Sequence, residues 1–345
     1  MEDWLNSRMT AIRLVATFVA ATVAMSAGAN NLVNFATVTN TDFAMFGYGG
    51  MSATGLPTDG TGTITVSGIS GTVHRAVLIW HGPTNSASNA VNAAVTFNGT
   101  PITGFAIGTS DSNCWSNFAN SRAYQADVTT LVGGNGTYAL SNFVKGSYPN
   151  PTADINGVSL LVFYDDGNAA NNRDIVVFLG NDSNRPNAFD SAGWTVTLNG
   201  VNYASGAATL RLIIADGQNI IDPENVSLNA TVIYPGGQNF DGITVPNGPA
   251  ASDPDINGGL WDHKATSIAT SLTPGTNDLT LSSPSVDPAV GDCLSLVSTI
   301  FDLPPGTAPP SPLANIIPTL SEWGLALLTL LMGGFAALQL RCRRT

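Results

Sequence analysis

Two oxygen-rich stretches are the first candidates for chemistry. One is Asp165-Asp166-Gly167-Asn168, followed by Asn171, Asn172 and Asp174; the other is Asp216-Gly217-Gln218, followed by Asp222, Glu224 and Asn225. Calcium takes roughly six to eight oxygen ligands from carboxylates, amides and carbonyls. Asp165, Asp166 and Asp174 would supply them in the first loop, and Asp216, Asp222 and Glu224 in the second. Neither loop has the EF-hand spacing, and Asp and Asn at this density also make solvated turns. Calcium is the only cofactor these residues suggest. Cys114 and Cys293 are the second candidate. In an oxidising compartment they could pair, which in the entropic account contributes about 4–5 kcal/mol for so long a loop. The alternative is that Cys293, which opens an apolar run, is a core thiol.

Other chemistries find little support. His74, His81 and His263 lack the spacing of a zinc site. No Gly-x-Ser-x-Gly elbow is present, nor a phosphate-cradling Gly-x-x-x-x-Gly-Lys motif. A glycosidase needs two convergent carboxylates, but Glu224 is the only Glu between Ala29 and Pro318, and the Asp residues sit in turn-rich sequence. Trp80, Trp115, Trp194, Trp261, Tyr124, Tyr148 and Tyr203 would suit either a sugar-binding face or a sandwich core.

The elements that must position these groups are strands. Charged residues are 10% of the chain, against 36 Gly and 20 Pro, and Lys is limited to Lys145 and Lys264. Such a composition fits a turn-rich, exported all-β protein. Residues 30–315 hold 21 acidic and 7 basic residues, a net charge of −14; this surface repels nucleic acid and excludes it as a partner. Period-two segments run through the body. Val73–Trp80 ends in an uninterrupted apolar run, as a strand buried on both faces would. Asn98-Gly99 predicts a hairpin tip. Further strands are expected at Val158–Tyr164, Ile175–Leu179, Ala208–Ala215 and Cys293–Phe301, and one short helical turn within Ala119–Val132. Trp194–Gly200 echoes Ala94–Gly99, Ala208–Ala215 echoes Val73–Trp80, and Asn277–Ser282 echoes Gly136–Ser141. The expected fold is therefore two β-sandwich, jelly-roll-like halves, residues 30–185 and 186–303, followed by a stiff Pro-rich linker over 304–315.

Both ends read as delivery signals. Arg8 and Arg13 precede the apolar core Leu14–Met25, and Ala27-Gly28-Ala29 fits a signal-peptidase site, so residues 1–29 read as a signal peptide. At the other end, residues 316–345 hold an uncharged stretch, Trp323–Leu340, long enough with Leu320 to cross a bilayer. Arg341, Arg343 and Arg344 follow it as a stop-transfer cluster, which places the C-terminus in the cytoplasm and the body outside the inner membrane.

The order Ile317-Pro318-Thr319-Leu320-Ser321-Glu322-Trp323-Gly324, then an apolar helix, then an arginine cluster, resembles the IPTL-CTERM sorting signal. That signal belongs to the PEP-CTERM-like group handled by exosortases in Gram-negative bacteria. The resemblance implies an exosortase-type membrane transpeptidase as partner, cleavage near Pro318, and transfer of the body to the cell surface or extracellular matrix. Over the body, Ala76–Gly82, Val95–Gly99, Tyr124–Thr129, Gly136–Tyr138, Leu160–Asp166, Ile214–Gly217 and Val226–Asn229 are similar to a β-rich module of bacterial surface proteins. That likeness implies a structural or adhesive role toward matrix polysaccharide or surface proteins, with no reaction. The competing expectation is a secreted carbohydrate-binding module or glycoside hydrolase.

Overall fold

The structure is a computed structural model that describes residues 32–50, 59–144, 153–219, 225–237, 239–248, 259–284 and 291–310. The expected signal peptide, the sorting motif Ile317–Gly324, the apolar tail, Arg341, Arg343 and Arg344 lie outside them, as do Asp222, Glu224 and Tyr148. Among the described residues no helix is long and apolar enough to cross a membrane.

The described chain is all-β, with seventeen strands and two 3-10 turns. Nine strands join into one sheet, in the order β15 (Trp261–Ser267), β12 (Thr209–Ala215), β17 (Ser295–Leu303), β10 (Arg173–Ser183), β1 (Val33–Gly49), β9 (Gly157–Asp165), β3 (Thr72–Thr84), β7 (Asn120–Asp127) and β6 (Phe105–Ser110). A four-stranded sheet is made by β2 (Asp59–Val66), β8 (Gly136–Val144), β4 (Ala94–Phe97) and β5 (Thr100–Thr103). A second one is made by β11 (Thr195–Tyr203), β16 (Gly275–Ser282), β13 (Val226–Leu228) and β14 (Thr231–Tyr234).

The nine-stranded sheet folds back on itself at β1. Residues up to Thr41 pair with β10, and residues from Asp42 onward pair with β9. The register breaks between Val38 and Thr41, and Asn40 lies at φ 56°. A break of this kind bends a strand and lets it serve two sheets. The two wings then face each other. Val77, Ile79, Leu161 and Phe163 of one wing share a core with Ile175, Val177, Leu179, Ile213, Val297 and Ile300 of the other. The outer face of each wing is covered by one small sheet. Leu78, Trp80, Leu160 and Val162 pack on Ile64, Phe97, Tyr138 and Phe143. Val176, Leu210, Leu212 and Phe301 pack on Val196, Leu198, Leu279 and Leu281. Four layers thus enclose three cores. The strands of the inner layers bury both faces, which is why Ala76–Trp80 is apolar without alternation.

The two wings repeat one strand order. The second half of β1, then β2, β3, β4, β5, β7, a 3-10 turn, β8 and β9 are matched by β10, β11, β12, β13, β14, β15, a 3-10 turn, β16 and β17; β6 is an extra edge strand in the first series. Local bonds repeat too. Val128 N donates to Ala76 O as Ile268 N donates to Ala208 O, and Asn98 N to Ala139 O as Asn229 N to Thr280 O. Two expectations change. The Trp194–Gly200 segment corresponds to β2, not to Ala94–Gly99, whose counterpart is β13. The joint between halves lies in the loop between β9 and β10, not at residues 185 and 186, because β10 pairs with β17 and belongs to the second series. Ala119–Val132, expected to hold a short helical turn, holds β7 and the 3-10 turn Thr129–Leu131. The first residues of the Pro-rich segment are docked, not free: Thr307 is buried, Asn202 N donates to its carbonyl, and Thr307 N donates to Pro304 O.

Candidate functional site

The loop between β9 and β10 packs against the corner of β1. These are the two places where the chain crosses from one wing to the other. Asp42, buried at that corner, meets Asp165 and Asp166 with carboxylate oxygens within 4.8 Å of one another. Asp42 accepts from Asp166 N (3.0 Å) and Asn171 Nδ2 (3.0 Å). Asp166 accepts from Asn168 N and Asn171 Nδ2, and Asp165 from Gly167 N. Burial first, and the neighbouring carboxylates after it, raise the pKa of Asp42; the Asn171 and Asn168 hydrogen bonds lower that of Asp166. A cation could be held here by Asp42, Asp165 and Asp166, but hydrogen bonds already occupy five of their six carboxylate oxygens. Asp174, expected as a ligand of the same loop, does other work. Its Oδ1 accepts from Asn40 N (3.1 Å), and its Oδ2 from Thr307 N (3.0 Å) and Ala308 N (3.1 Å). It pins the exit of the chain to the corner of β1. Asp42 was not anticipated from sequence, since it lies 123 residues from Asp165 and no local motif marks it.

Asp216, the candidate from the second loop, is buried at the seam between the wings, 2% exposed. Its Oδ1 accepts from Trp115 Nε1 (2.6 Å) and Asn156 Nδ2 (3.2 Å). Asn156 Oδ1 lies 3.1 Å from His81 Nδ1, so the amide orientation makes His81 Nδ1 the protonated nitrogen. Burial raises Asp216 well above the carboxylate range, with Asp292 adding to it. Asp292 is pushed up to about 8 by burial, against the Gln218 N–H it accepts at 3.3 Å. Burial also takes Asp182 to about 8, with Asp190 beside it, and Asp262 to about 6. It takes His81 down to about 4 and His263 to about 3. His263 Nε2 lies 2.7 Å from Ser159 Oγ, which also accepts from Trp261 Nε1 at 2.9 Å. Of these groups, Asp216, through Trp115 and Asn156, and His263, through Ser159, bridge the two wings.

Cys114 and Cys293 form a disulfide with Cα atoms 6.0 Å apart. It ties the loop after β6 to the segment before β17, next to Asp292. Three more contacts tie the same loop: Trp115 to Asp216, Ser295 Oγ to Asn113 Oδ1 (2.9 Å), and Arg185 Nε to Asp111 (2.8 Å).

The aromatic set does not form an exposed platform. Trp80, Trp194, Trp261 and Tyr124 are buried to within 1%, Tyr203 is also buried, and Trp115 is turned to Asp216. Trp80 stacks on Tyr124 with ring centres 5.6 Å apart and meets Phe143 edge-on. Their role is core packing.

The functional assignment turns on the segment beyond residue 310. The family model described as the IPTL-CTERM motif matches residues 317–344. This chain carries an IPTL-CTERM motif. No curated protein sequence matches the chain. Among solved structures, PNGF-II overlaps it at 12% identity over 79% of this chain and 65% of that one, with a TM-score of 0.29. The chain thus spans about 65% of the length of PNGF-II. The ANX2 ectodomain from Arabidopsis thaliana is 15% identical over 78% of this chain and 86% of that one, TM-score 0.24. PNGase F, a glycosylasparaginase from Flavobacterium meningosepticum, is 11% identical over 78% and 96%, TM-score 0.23. At these scores the overlap establishes neither a shared activity nor a shared site.

Proposed function

We propose that this chain is an exported cell-surface or extracellular-matrix protein whose body does structural or adhesive work and carries out no reaction. An N-terminal signal peptide directs export. The apolar tail Trp323–Leu340 and the cluster Arg341, Arg343 and Arg344 hold the chain in the inner membrane of a Gram-negative cell. An exosortase-type transpeptidase then cuts near Pro318 and releases the body. The observation that carries this reading is the IPTL-CTERM motif at residues 317–344. Two features of the body support it. The Cys114–Cys293 disulfide suits an oxidising compartment. The chain also leaves the body at a fixed point, Thr307 and Ala308 on Asp174, ten residues before Pro318.

The test is the mass of the protein from its native host, with and without the candidate exosortase. A product that ends near Pro318 and lacks Arg341–Thr345, seen only when the enzyme is present, is expected. An intact C-terminus in both strains would make the tail a permanent anchor and remove the sorting step.

A further inference from the structure

The loop Asp111–Phe118 is held in a conformation it would not adopt alone. Asn113 and Cys114 lie at φ 54° and 66°, two successive left-handed residues that are not glycine. Such residues persist only where surrounding contacts over-determine them. Here the contacts are the disulfide, Trp115 on Asp216, Asn113 on Ser295, and Asp111 on Arg185. All four cross from the wing that carries the loop to the other wing. Beneath the loop lie Asp216 and Asp292, 2% and 1% exposed. Asp292 adjoins Cys293 in sequence, and its Oδ1 meets no donor among the described residues.

We propose that the Cys114–Cys293 disulfide is a redox clasp: its closure seals the Asp216–Asp292 carboxylate pair from water, so the oxidation state of the two cysteines and the protonation of the pair are coupled. The clasp goes beyond the sorting reading and does not depend on it. Every element around the pair contributes a group. The loop contributes Asp111 and Trp115, the segment before β9 contributes Asn156, and β3 contributes His81 behind it. Residues 184 and 185 contribute Asn184, whose Nδ2 donates to Asp292 O at 2.8 Å, and Arg185. β15 contributes Asp262 and Lys264, and the loop before it Asp241. Among the described residues, the Arg185 guanidinium at the loop is engaged by Asp111 and by Cys114 Sγ (2.8 Å), not by the pair. With the clasp shut, both carboxyls are buried and each has a carboxylate neighbour, Asp292 for Asp216 and Asp262 for Asp292, so both hold protons to higher pH. With the clasp open, Trp115 leaves Asp216, water enters, and the pair ionises as ordinary aspartates do.

The redox step can be written with glutathione. The glutathione thiolate attacks the sulfur of Cys114, an exposed residue, and the bond to Cys293 breaks. Cys293 leaves as a thiolate and takes a proton. A second glutathione thiolate then attacks the mixed disulfide and frees Cys114. Two glutathione thiols are oxidised to one disulfide and two protein thiols are formed. Below the range of thiol ionisation this exchange has no net proton change. Any pH dependence at acidic to neutral pH therefore reports groups other than the thiols.

The experiment equilibrates the full chain with reduced and oxidised glutathione at pH 5, 6 and 7. Occupancy is read by alkylation and mass of the peptides that hold Cys114 and Cys293, which keeps Cys342 out of the reading. The expected equilibrium constant for clasp formation falls about tenfold per pH unit for each carboxylate that must take up a proton. Asp292→Asn should remove one tenfold step per unit. A constant that does not change with pH would overturn the proposal, as would a slope that Asp292→Asn leaves intact. Amide exchange on the reduced protein should stay slow in β9 and β17; loss of that protection would mean that reduction unfolds the body and that no local clasp exists.

Discussion

Asp182→Asn is the most informative single substitution in the body. Asp182 is fully buried at the end of β10, and both its carboxylate oxygens lack a well-formed hydrogen bond among the described residues. Burial, reinforced by Asp190 and only partly offset by the Thr195 N–H, takes its pKa to about 8. An unfolded chain releases that proton near pH 4. Between these limits the folded state holds one more proton than the unfolded state, so stability falls as pH rises, by about 1.4 kcal/mol per unit. His81 and His263 act in the opposite direction. Their folded pKa values, about 4 and about 3, lie below the usual one, so they cost stability as pH falls through ~7. At pH ~6.5 about half of each unfolded histidine is protonated, so the two together give back about 0.8 kcal/mol between pH 6.5 and 8; the variant carries the same histidines, and its comparison with the native protein cancels them. Over that window Asp182 by itself should remove about 2 kcal/mol from the native protein. The amide that replaces its carboxyl carries no charge to neutralise. Urea unfolding followed by tryptophan fluorescence at pH 6.5, 7.25 and 8 should show the variant gaining on the native protein by about 2 kcal/mol across the window. Parallel profiles, or a native protein more stable at pH 8 than at 6.5, would refute the claim that the folded state holds this carboxyl protonated.

Gly157→Ala should destabilise the body by about 1–3 kcal/mol, because a Cβ there would land inside the indole of Trp261 across the seam; thermal melts read this directly. Asp302→Asn should cost about 2–3 kcal/mol, since Arg173 Nε (2.6 Å) and Arg211 Nη2 (2.9 Å) share that mostly buried carboxylate, a figure set low because both arginines are partly exposed. Asp174→Ala should free Thr307 and Ala308 and speed protease cleavage after residue 303, with the melting temperature as a control for global damage. A chelator should leave the melting temperature unchanged within about a degree, because donors already occupy five of the six Asp42, Asp165 and Asp166 carboxylate oxygens; a drop on the order of 5 °C or more would show that a bound cation contributes there.

The all-β class, most inner strands, the hairpin at Asn98-Gly99 and the C-terminal motif were legible in the chain because each is a local signal. Apolar runs mark strands buried on both faces, Asn-Gly favours left-handed φ at a tip (49° and 77° here), and the motif is contiguous. What the sequence could not decide depends on which distant strands pair. Val33–Gly49 carries no clean alternation, since its two parts serve different wings and its burial changes character at the corner. Only that corner brings Asp42 to Asp165 and Asp166, and only the turn after β17 gives Asp174 to the chain exit in place of a metal. The repeat was visible as echoes of sequence, but its joint was not, because pairing of β10 with β17 is a choice among many apolar strands of the same character. The aromatic residues were equally suited to a surface or a core. The small outer sheets settled that for Trp80 and Trp194, and the facing of the two wings settled it for Trp261, leaving none of them a route to water. The same facing buried Asp216 and Asp292 beneath a disulfide whose two cysteines lie 179 residues apart.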